Sequence, residues 1–120
     1  MDTLELFSTE DKVLEYNAWD VIFSAGDAAN CMYIIKQGEV DIRASGKLIL
    51  TANAGEIFGE MALIDASPRS ATASARTDCV LIPIDQQRFT LLVQQTPFFS
   101  LCLMRILVER IRKLNEQMSC

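Results

Sequence analysis

The segment from Gly55 to Ala73, GEIFGEMALIDASPRSATA, holds the residues of this 120-residue chain whose types and spacing could bind a ligand. Glu60 follows Gly59 and begins an apolar stretch long enough for one helical turn, whose first backbone N–H groups lack intrahelical acceptors and attract anions. Arg69 stands nine residues after Glu60. Its planar guanidinium can hold a phosphate through two parallel hydrogen bonds. The segment therefore combines phosphate donors with a carboxylate.

The pair of Glu60 and Arg69 allows two interpretations. Because a carboxylate repels a phosphate, Glu60 is better suited to accept hydrogen bonds from a ligand hydroxyl, while Ser70 adds a hydroxyl and an N–H beside the arginine. Phosphate donors beside a hydroxyl acceptor indicate a site for a ribose phosphate. In the alternative, Glu60 and Arg69 form a surface salt bridge that closes the loop and contributes little to stability.

The composition excludes several other kinds of site. The sequence has no histidine, which removes the serine–histidine and cysteine–histidine nucleophiles and every mixed Cys/His zinc site. The four cysteines form no C-x-x-C pair, so we expect reduced thiols and no metal. A formal net charge of −5 disfavours direct nucleic-acid binding by this chain. We expect neither catalytic residues nor a metal site.

Short β-like runs separated by turn residues occupy the chain from about 13 to 84. The stretch Glu39–Arg43 alternates between apolar and polar residues, as does a strand with one solvent-exposed face, and Gly38 and Gly46 flank it as hairpin turns do. Strands this short and evenly spaced predict a barrel or jelly roll. Trp19, at the start of one run, is expected to pack in the core or at a sheet edge.

Two helices are predicted after the strands, over about 85–95 and 97–118. Asp85 can cap the first, and Pro97 is favoured in the first turn of the second. A stripe at 3-4 spacing runs along the second helix, formed by Met104, Leu107, Ile111, Leu114 and Met118. The stripe packs either on the strands of the same subunit or as a homodimer seam, and we favour the homodimer.

The length and the N-terminus bear on domain count and location. A chain of 120 residues fits a single domain, 1–120. Its start is acidic, and nowhere does it contain an apolar run of about eighteen residues. We therefore expect a cytoplasmic protein without membrane association.

The segment from Gly55 to Ala73 resembles the phosphate-binding cassette of cyclic-nucleotide-binding domains. These occur in catabolite-activator-type bacterial regulators, regulatory subunits of protein kinase A and cyclic-nucleotide-gated channels. The cassette patterns F-G-E-x-A-L and P-R-[STA]-A are matched without gaps by residues 58–63 and 68–71, and earlier strands match through Val21–Asp27 and Tyr33–Val40. The resemblance implies a mainly β fold with C-terminal helices, the double-stranded β-helix or jelly roll of that family.

The resemblance also implies which residues bind the ligand. Glu60 would bind the ribose 2′-hydroxyl and Arg69 the cyclic phosphate, while backbone N–H groups complete the cradle. The full expected set is Phe58, Gly59, Glu60, Met61, Ala62, Arg69, Ser70 and Ala71. In the bacterial regulators the corresponding long helix lends side chains that cover the purine, and spacing from Arg69 assigns such lid contacts to Ile111, Arg112, Leu114 and Asn115. Since Leu114 stands where the catabolite activator offers a hydroxyl, either Asn115 or Arg112 reads the base, or the base is read poorly.

Ser70 follows the cassette arginine, as serine does in the catabolite activator, so the resemblance implies cyclic AMP as the ligand and cyclic GMP as the alternative. Members of the family bind the nucleotide without hydrolysing it, and we expect no enzymatic activity. Two functions remain open. The first is a sensor that relays binding through movement of its C-terminal helix. The second is the sensor half of a catabolite-activator-type transcription regulator whose DNA-binding domain lies outside this chain.

Overall fold

The computed structural model describes residues 12–118, and the strands and helices of this part follow the predicted order. The strands are β1 Leu14–Tyr16, β2 Val21–Phe23, β3 Cys31–Gln37, β4 Val40–Ala44, β5 Lys47–Ala52, β6 Ile57–Phe58, β7 Thr72–Ala75 and β8 Cys79–Asp85; the helices are α1 Met61–Asp65, α2 Gln86–Gln95 and α3 Pro97–Met118. The strands form two antiparallel four-stranded sheets, ordered β1-β8-β3-β6 and β2-β7-β4-β5. The predicted β-roll followed by C-terminal helices is confirmed.

The first sheet is buried on both faces, because helices cover one face and the second sheet covers the other. Alternate residues of β3 supply the two cores: Ile34 packs with α2 and α3, whereas Ile35 packs with residues of the second sheet. Successive side chains of a strand point to opposite faces, so a strand buried on both sides is apolar at every position. This explains the uninterrupted apolar run at the centre of β3.

Strand β4 was expected to have one exposed face, and the structure modifies that expectation. Val40 lies in the core between the sheets, and Arg43 on the opposite face is exposed. Asp41 shares the outer face but is nearly buried. The hydroxyl of Thr51 donates to its carboxylate at 2.8 Å, and the guanidinium groups of Arg43 and Arg76 lie 3.8 and 3.7 Å away. These neighbours cover the carboxylate while they supply its hydrogen bond and countercharge.

Local capping fixes the start of α2, and Thr96 separates it from α3. The Asp85 carboxylate accepts the backbone N–H of Arg88 at 2.8 Å, as predicted for an N-cap. The rings of Phe89 and Phe99 then meet edge to face with their centroids 6.0 Å apart. Among the described residues no single helix is long and apolar enough to span a membrane, and α2 and α3 meet that criterion only as a pair bent by 109°.

The apolar side chains of α3 are divided between the core and the solvent. Phe99 and Leu103 are buried against the first sheet, and Leu107 packs at the edge of the same core. Met104 and Ile111 are exposed. The side chain of Met118 lies outside the described residues. The homodimer through this helix stays a prediction.

Trp19 does not pack as predicted. It lies in the turn before β2 with its side chain 74% exposed, so the expectation that it packs in the core or at a sheet edge is wrong. Its φ of 75° is in the left-handed region, which bulky residues rarely adopt. The backbone N–H of Trp19 donates to the carbonyl of Ala75, and the N–H of Ala75 donates to the carbonyl of Asp20. These bonds hold the turn on β7 and direct the indole into the solvent.

Candidate ligand-binding site

A cavity of about 320 Å³ lies where α1 and the loop after it face β4 and β5. The structure brings both halves of the predicted cassette to its wall, namely Phe58, Gly59, Glu60, Met61, Ala62, Arg69, Ser70 and Ala71. Apolar side chains from the strands complete the lining, among them Phe23, Ile42, Ile49 and Leu50. The cavity therefore has a polar side formed by the cassette and an apolar side formed by the sheets.

Gly59 turns the chain from β6 into α1. Its φ is +77°, and a Cβ at this position would lie 2.7 Å from Nη1 of Arg69. Glycine is required here both for the backbone conformation and for the close approach of the arginine. The N–H groups of Leu63 and Ile64 donate to the Glu60 carbonyl, so the N–H groups of Met61 and Ala62 precede any intrahelical acceptor. Both of these residues line the cavity.

Arg69 is held from the backbone and from the side chain. Its side chain donates from Nη1 to the Gly59 carbonyl at 2.9 Å and from Nη2 to the Cys31 carbonyl at 2.6 Å, and the residue is 7% exposed. The backbone N–H of Arg69 donates to the carbonyl of Asp27, and the N–H of Gly26 donates to the carbonyl of Arg69. The turn after β2 therefore fixes the position of the cassette arginine.

Glu60 pairs with α3 and not with Arg69. Its carboxylate is nearly buried, and Nη1 of Arg110 donates to its Oε1 at 3.2 Å. Nη2 of Arg110 donates to the carbonyl of Ile57, the first residue of β6. The loop-closing salt bridge considered for Glu60 and Arg69 is absent from this structure, in which both side chains contact other groups. The two predicted ligand-binding charges therefore line one cavity without neutralising each other.

Arg110 is the site residue that the sequence-based prediction missed. Leu103 and Ile106 precede it by seven and four residues, and both face the core, so helical periodicity places position 110 on the same inner face. A charged residue at a position where an apolar one is expected is the signal that could have identified it. Arg110 reaches β6 and the cassette from that face.

The predicted lid residues do not line the smaller cavity as Arg110 does. A second cavity of about 550 Å³ separates β5 from α3, and Arg110 lines both cavities. Leu114 lines the second cavity, whereas Ile111, Arg112 and Asn115 are exposed and line neither. Each residue advances a helix by about 100°, so positions 110 and 114 face the roll while their neighbours in sequence turn away. A lid function for these residues stays a prediction.

The charges around the smaller cavity suit an anion. Its lining contains one acidic residue, Glu60, and two basic residues, Arg69 and Arg110. After Glu60 has paired with Arg110, the guanidinium of Arg69 carries the remaining positive charge. This local balance opposes the net charge of −5 of the whole chain, so an anionic ligand would be held by the cavity and not by the general field.

Comparison with known proteins shows the family of the chain. A family model described as the cyclic nucleotide-binding domain matches residues 13–96. The cAMP-dependent protein kinase regulatory subunit of Eremothecium gossypii is 38% identical over 87 residues, which are 72% of this chain and 19% of that protein. A cGMP-dependent protein kinase of Drosophila melanogaster is 30% identical over 83 residues, which are 69% of this chain and 8% of that protein. The chain thus spans less than a fifth of either relative.

The fold has counterparts among solved structures. The catabolite activator protein of Thermus thermophilus superposes with a TM-score of 0.78 at 27% sequence identity, over 91% of this chain and 54% of that one. The family match includes the strands and the complete cassette, and it ends at Thr96, just before α3. The chain therefore belongs to the cyclic nucleotide-binding domain family.

Proposed function

We propose that the chain is a sensor that binds a cyclic nucleotide, cyclic AMP in the first place, in the 320 Å³ cavity. The observation that carries the proposal is the placement of Glu60 and Arg69. Both side chains are nearly buried, both line the same cavity, and neither neutralises the other. A buried charge needs a partner; Glu60 already has Arg110, whereas Arg69 pairs with no carboxylate within residues 12–118, and a ligand phosphate can supply its countercharge.

Each part of the nucleotide has a matching part of the wall. The cyclic phosphate accepts from Arg69, Ser70 and the first N–H groups of α1, where the positive end of backbone dipoles faces it. The ribose hydroxyl donates to Glu60. The base packs on the apolar side of the cavity, against Ile42 and Ile49. No bond in the nucleotide is broken, so the proposed activity is binding without catalysis.

The proposed relay runs through Arg110. This residue joins α3 to Glu60 and to β6, and a ribose hydroxyl bound to Glu60 would contact the same carboxylate. Bound ligand therefore changes the interaction between Glu60 and Arg110. The protein then shifts towards the position of α3 in which the carboxylate of Glu60 binds both the ribose hydroxyl and its protein partner most favourably, which is a population shift. The signal leaves through movement of α3. A homodimer through α3, the absence of direct nucleic-acid binding by this chain, and a cytoplasmic location stay predictions.

Two alternatives to this proposal differ from it in the ligand that is bound or in the protein of which the sensor is a part. Cyclic GMP is the alternative nucleotide, since relatives named for either nucleotide match this chain over a similar length. The alternative output is the sensor half of a transcription regulator, supported by the likeness to a catabolite activator protein. Ser70 favours cyclic AMP through the resemblance to the catabolite activator.

Thermal unfolding of the purified protein tests the proposal and the choice of ligand. A ligand that binds only the folded state at one hundred times its Kd stabilises that state by about 2.7 kcal/mol, which raises the midpoint by several degrees in a domain of this size. We expect cyclic AMP to give the largest rise, cyclic GMP a smaller one, and 5′-AMP, which lacks the cyclic phosphate, none. Equal midpoints with all three nucleotides at 1 mM would refute the proposal.

A further inference from the structure

We propose that Phe23, on β2, positions Arg69 for the ligand phosphate by holding the guanidinium against its ring face. This proposal rests on the proposed function, and it adds a positioning residue outside the cassette. Phe23 lines the same cavity, and Cζ of Arg69 lies 4.0 Å from the centroid of its ring. A guanidinium within about 6 Å of an aromatic face is attracted by the negative charge on that face.

The other contacts of Arg69 show why the ring matters. Its two hydrogen-bond acceptors are the neutral carbonyls of Gly59 and Cys31. Within residues 12–118 no carboxylate forms an ion pair with Arg69, because Glu60 pairs with Arg110. A buried cation is costly without compensation. The ring of Phe23, 4.0 Å from Cζ, is therefore the nearer of two aromatic faces that stabilise the charge, and the ring of Tyr33 lies farther away at 5.8 Å.

An aromatic face stabilises the cation without competing for the ligand. A guanidinium has five N–H donors in its plane, and the two carbonyls account for two of them. Cζ of Arg69 lies over the Phe23 ring, and an aromatic face offers no oxygen to the remaining donors, which leaves them for a phosphate. A carboxylate in the same place would occupy those donors and repel the incoming anion. Phe23 thus orients Arg69 while it preserves the capacity to bind phosphate.

The ring itself is held in place. Phe23 lies 6.2 Å from Tyr33 and 6.0 Å from Phe58 between ring centroids, and those two rings stack 5.1 Å apart. Burial raises the pKa of the Tyr33 hydroxyl above its ordinary value, so no anion forms beside the guanidinium. Since the turn after β2 also bonds to the backbone of Arg69, the ring and the arginine are fixed by the same segment.

A series of fluorinated phenylalanines at position 23 tests the proposal. Fluorination weakens the negative ring face stepwise with little change in size. We expect the Kd for cyclic AMP, measured by calorimetry, to rise with each added fluorine, and Phe23→Leu to weaken binding about five- to thirtyfold. The matched control is the same series at Phe89, a buried ring on α2 that lines neither cavity. There we expect a constant Kd. Phe23→Tyr, which keeps an aromatic face, should retain most of the affinity.

The outcomes separate this proposal from the proposed function. An unchanged Kd across the series at position 23, with tight binding retained and only the thermal midpoint lowered, would overturn the positioning role and leave the proposed function intact. Equal losses at positions 23 and 89 would overturn it as well, because the effect would then follow packing and not the ring charge. A wild-type protein that binds neither cyclic AMP nor cyclic GMP would overturn both proposals.

Discussion

Arg110 on α3 donates to the carboxylate of Glu60 at 3.2 Å across fifty residues of sequence, and the same guanidinium bonds to the carbonyl of Ile57. One side chain therefore joins the long helix to both the cassette and the strand before it. The pair is shielded from water, so its two charges depend on each other more than an exposed pair would. The site and the element proposed to transmit its occupancy are in direct contact.

Removal of Arg110 should destabilise the fold. We expect Arg110→Met to lower the free energy of unfolding by about 3 kcal/mol, because Glu60 would remain buried without its cation. Urea denaturation gives the value, and Arg105→Met, an exposed residue of the same helix, is the matched control with an expected change below about 0.5 kcal/mol. The double variant Glu60→Gln/Arg110→Met should recover part of the loss. A double variant less stable than Arg110→Met alone would contradict the coupling.

Gly59→Ala should impair both folding and binding. The added Cβ would lie 2.7 Å from Nη1 of Arg69, so the guanidinium must move from its place in the cavity wall. We expect at least tenfold weaker cyclic AMP binding, which corresponds to about 1.4 kcal/mol. Gly46→Ala is the control, since Gly46 has a similar φ of +78° but open space around its Cβ. If the two variants lost affinity equally, the contact with Arg69 would not be the cause.

Trp19→Gly should stabilise the protein. Its φ of 75° costs a bulky residue roughly 1–2 kcal/mol, and the exposed indole contributes little burial in return. We expect the free energy of unfolding to rise by about 0.5–1 kcal/mol in a urea titration, after the entropic cost of glycine. Val21→Gly, an exposed position in the adjoining strand, should be destabilising instead. A loss of stability in Trp19→Gly would mean that the indole has a structural function.

Cys79 should react slowly with thiol reagents. Burial raises the pKa of its thiol, so less of the reactive thiolate is present at a given pH than for an ordinary cysteine. In the native protein at pH 8 we expect iodoacetamide to modify Cys31 and Cys102, which are less buried, faster than Cys79. Peptide mapping by mass spectrometry measures the three rates, and the fastest labelling at Cys79 would contradict the expectation. In urea the difference should disappear.

The sequence-based predictions succeed where local chemistry or a contiguous motif carries the information. The cap at Asp85 and the hairpin turn at Gly46 depend on neighbouring residues, and the predicted cassette residues line one cavity because the motif folds as a unit. The prediction that Trp19 is packed against the protein was wrong because its turn is held by hydrogen bonds to β7, which is distant in sequence. Those bonds impose a backbone conformation that tryptophan disfavours.

The role of α3 could be predicted only in part. Its extent follows from its apolar period and from Pro97, yet which side faces the cavity depends on the packing of Phe99 and Leu103 against the first sheet. That packing brings Arg110 to the cassette and turns Ile111 away from both cavities. The number of residues between Arg69 and a position in α3 does not show which side of the helix faces the cavity.

The central claim is that Arg69 holds the phosphate of a cyclic nucleotide, and calorimetric titration with cyclic AMP tests it most directly. We expect Arg69→Ala to weaken binding about thirty- to several-thousandfold, equivalent to roughly 2–5 kcal/mol, while Arg43→Ala, an arginine on the outer face of β4, leaves the Kd unchanged. Binding of cyclic AMP by Arg69→Ala with the wild-type Kd would contradict the account.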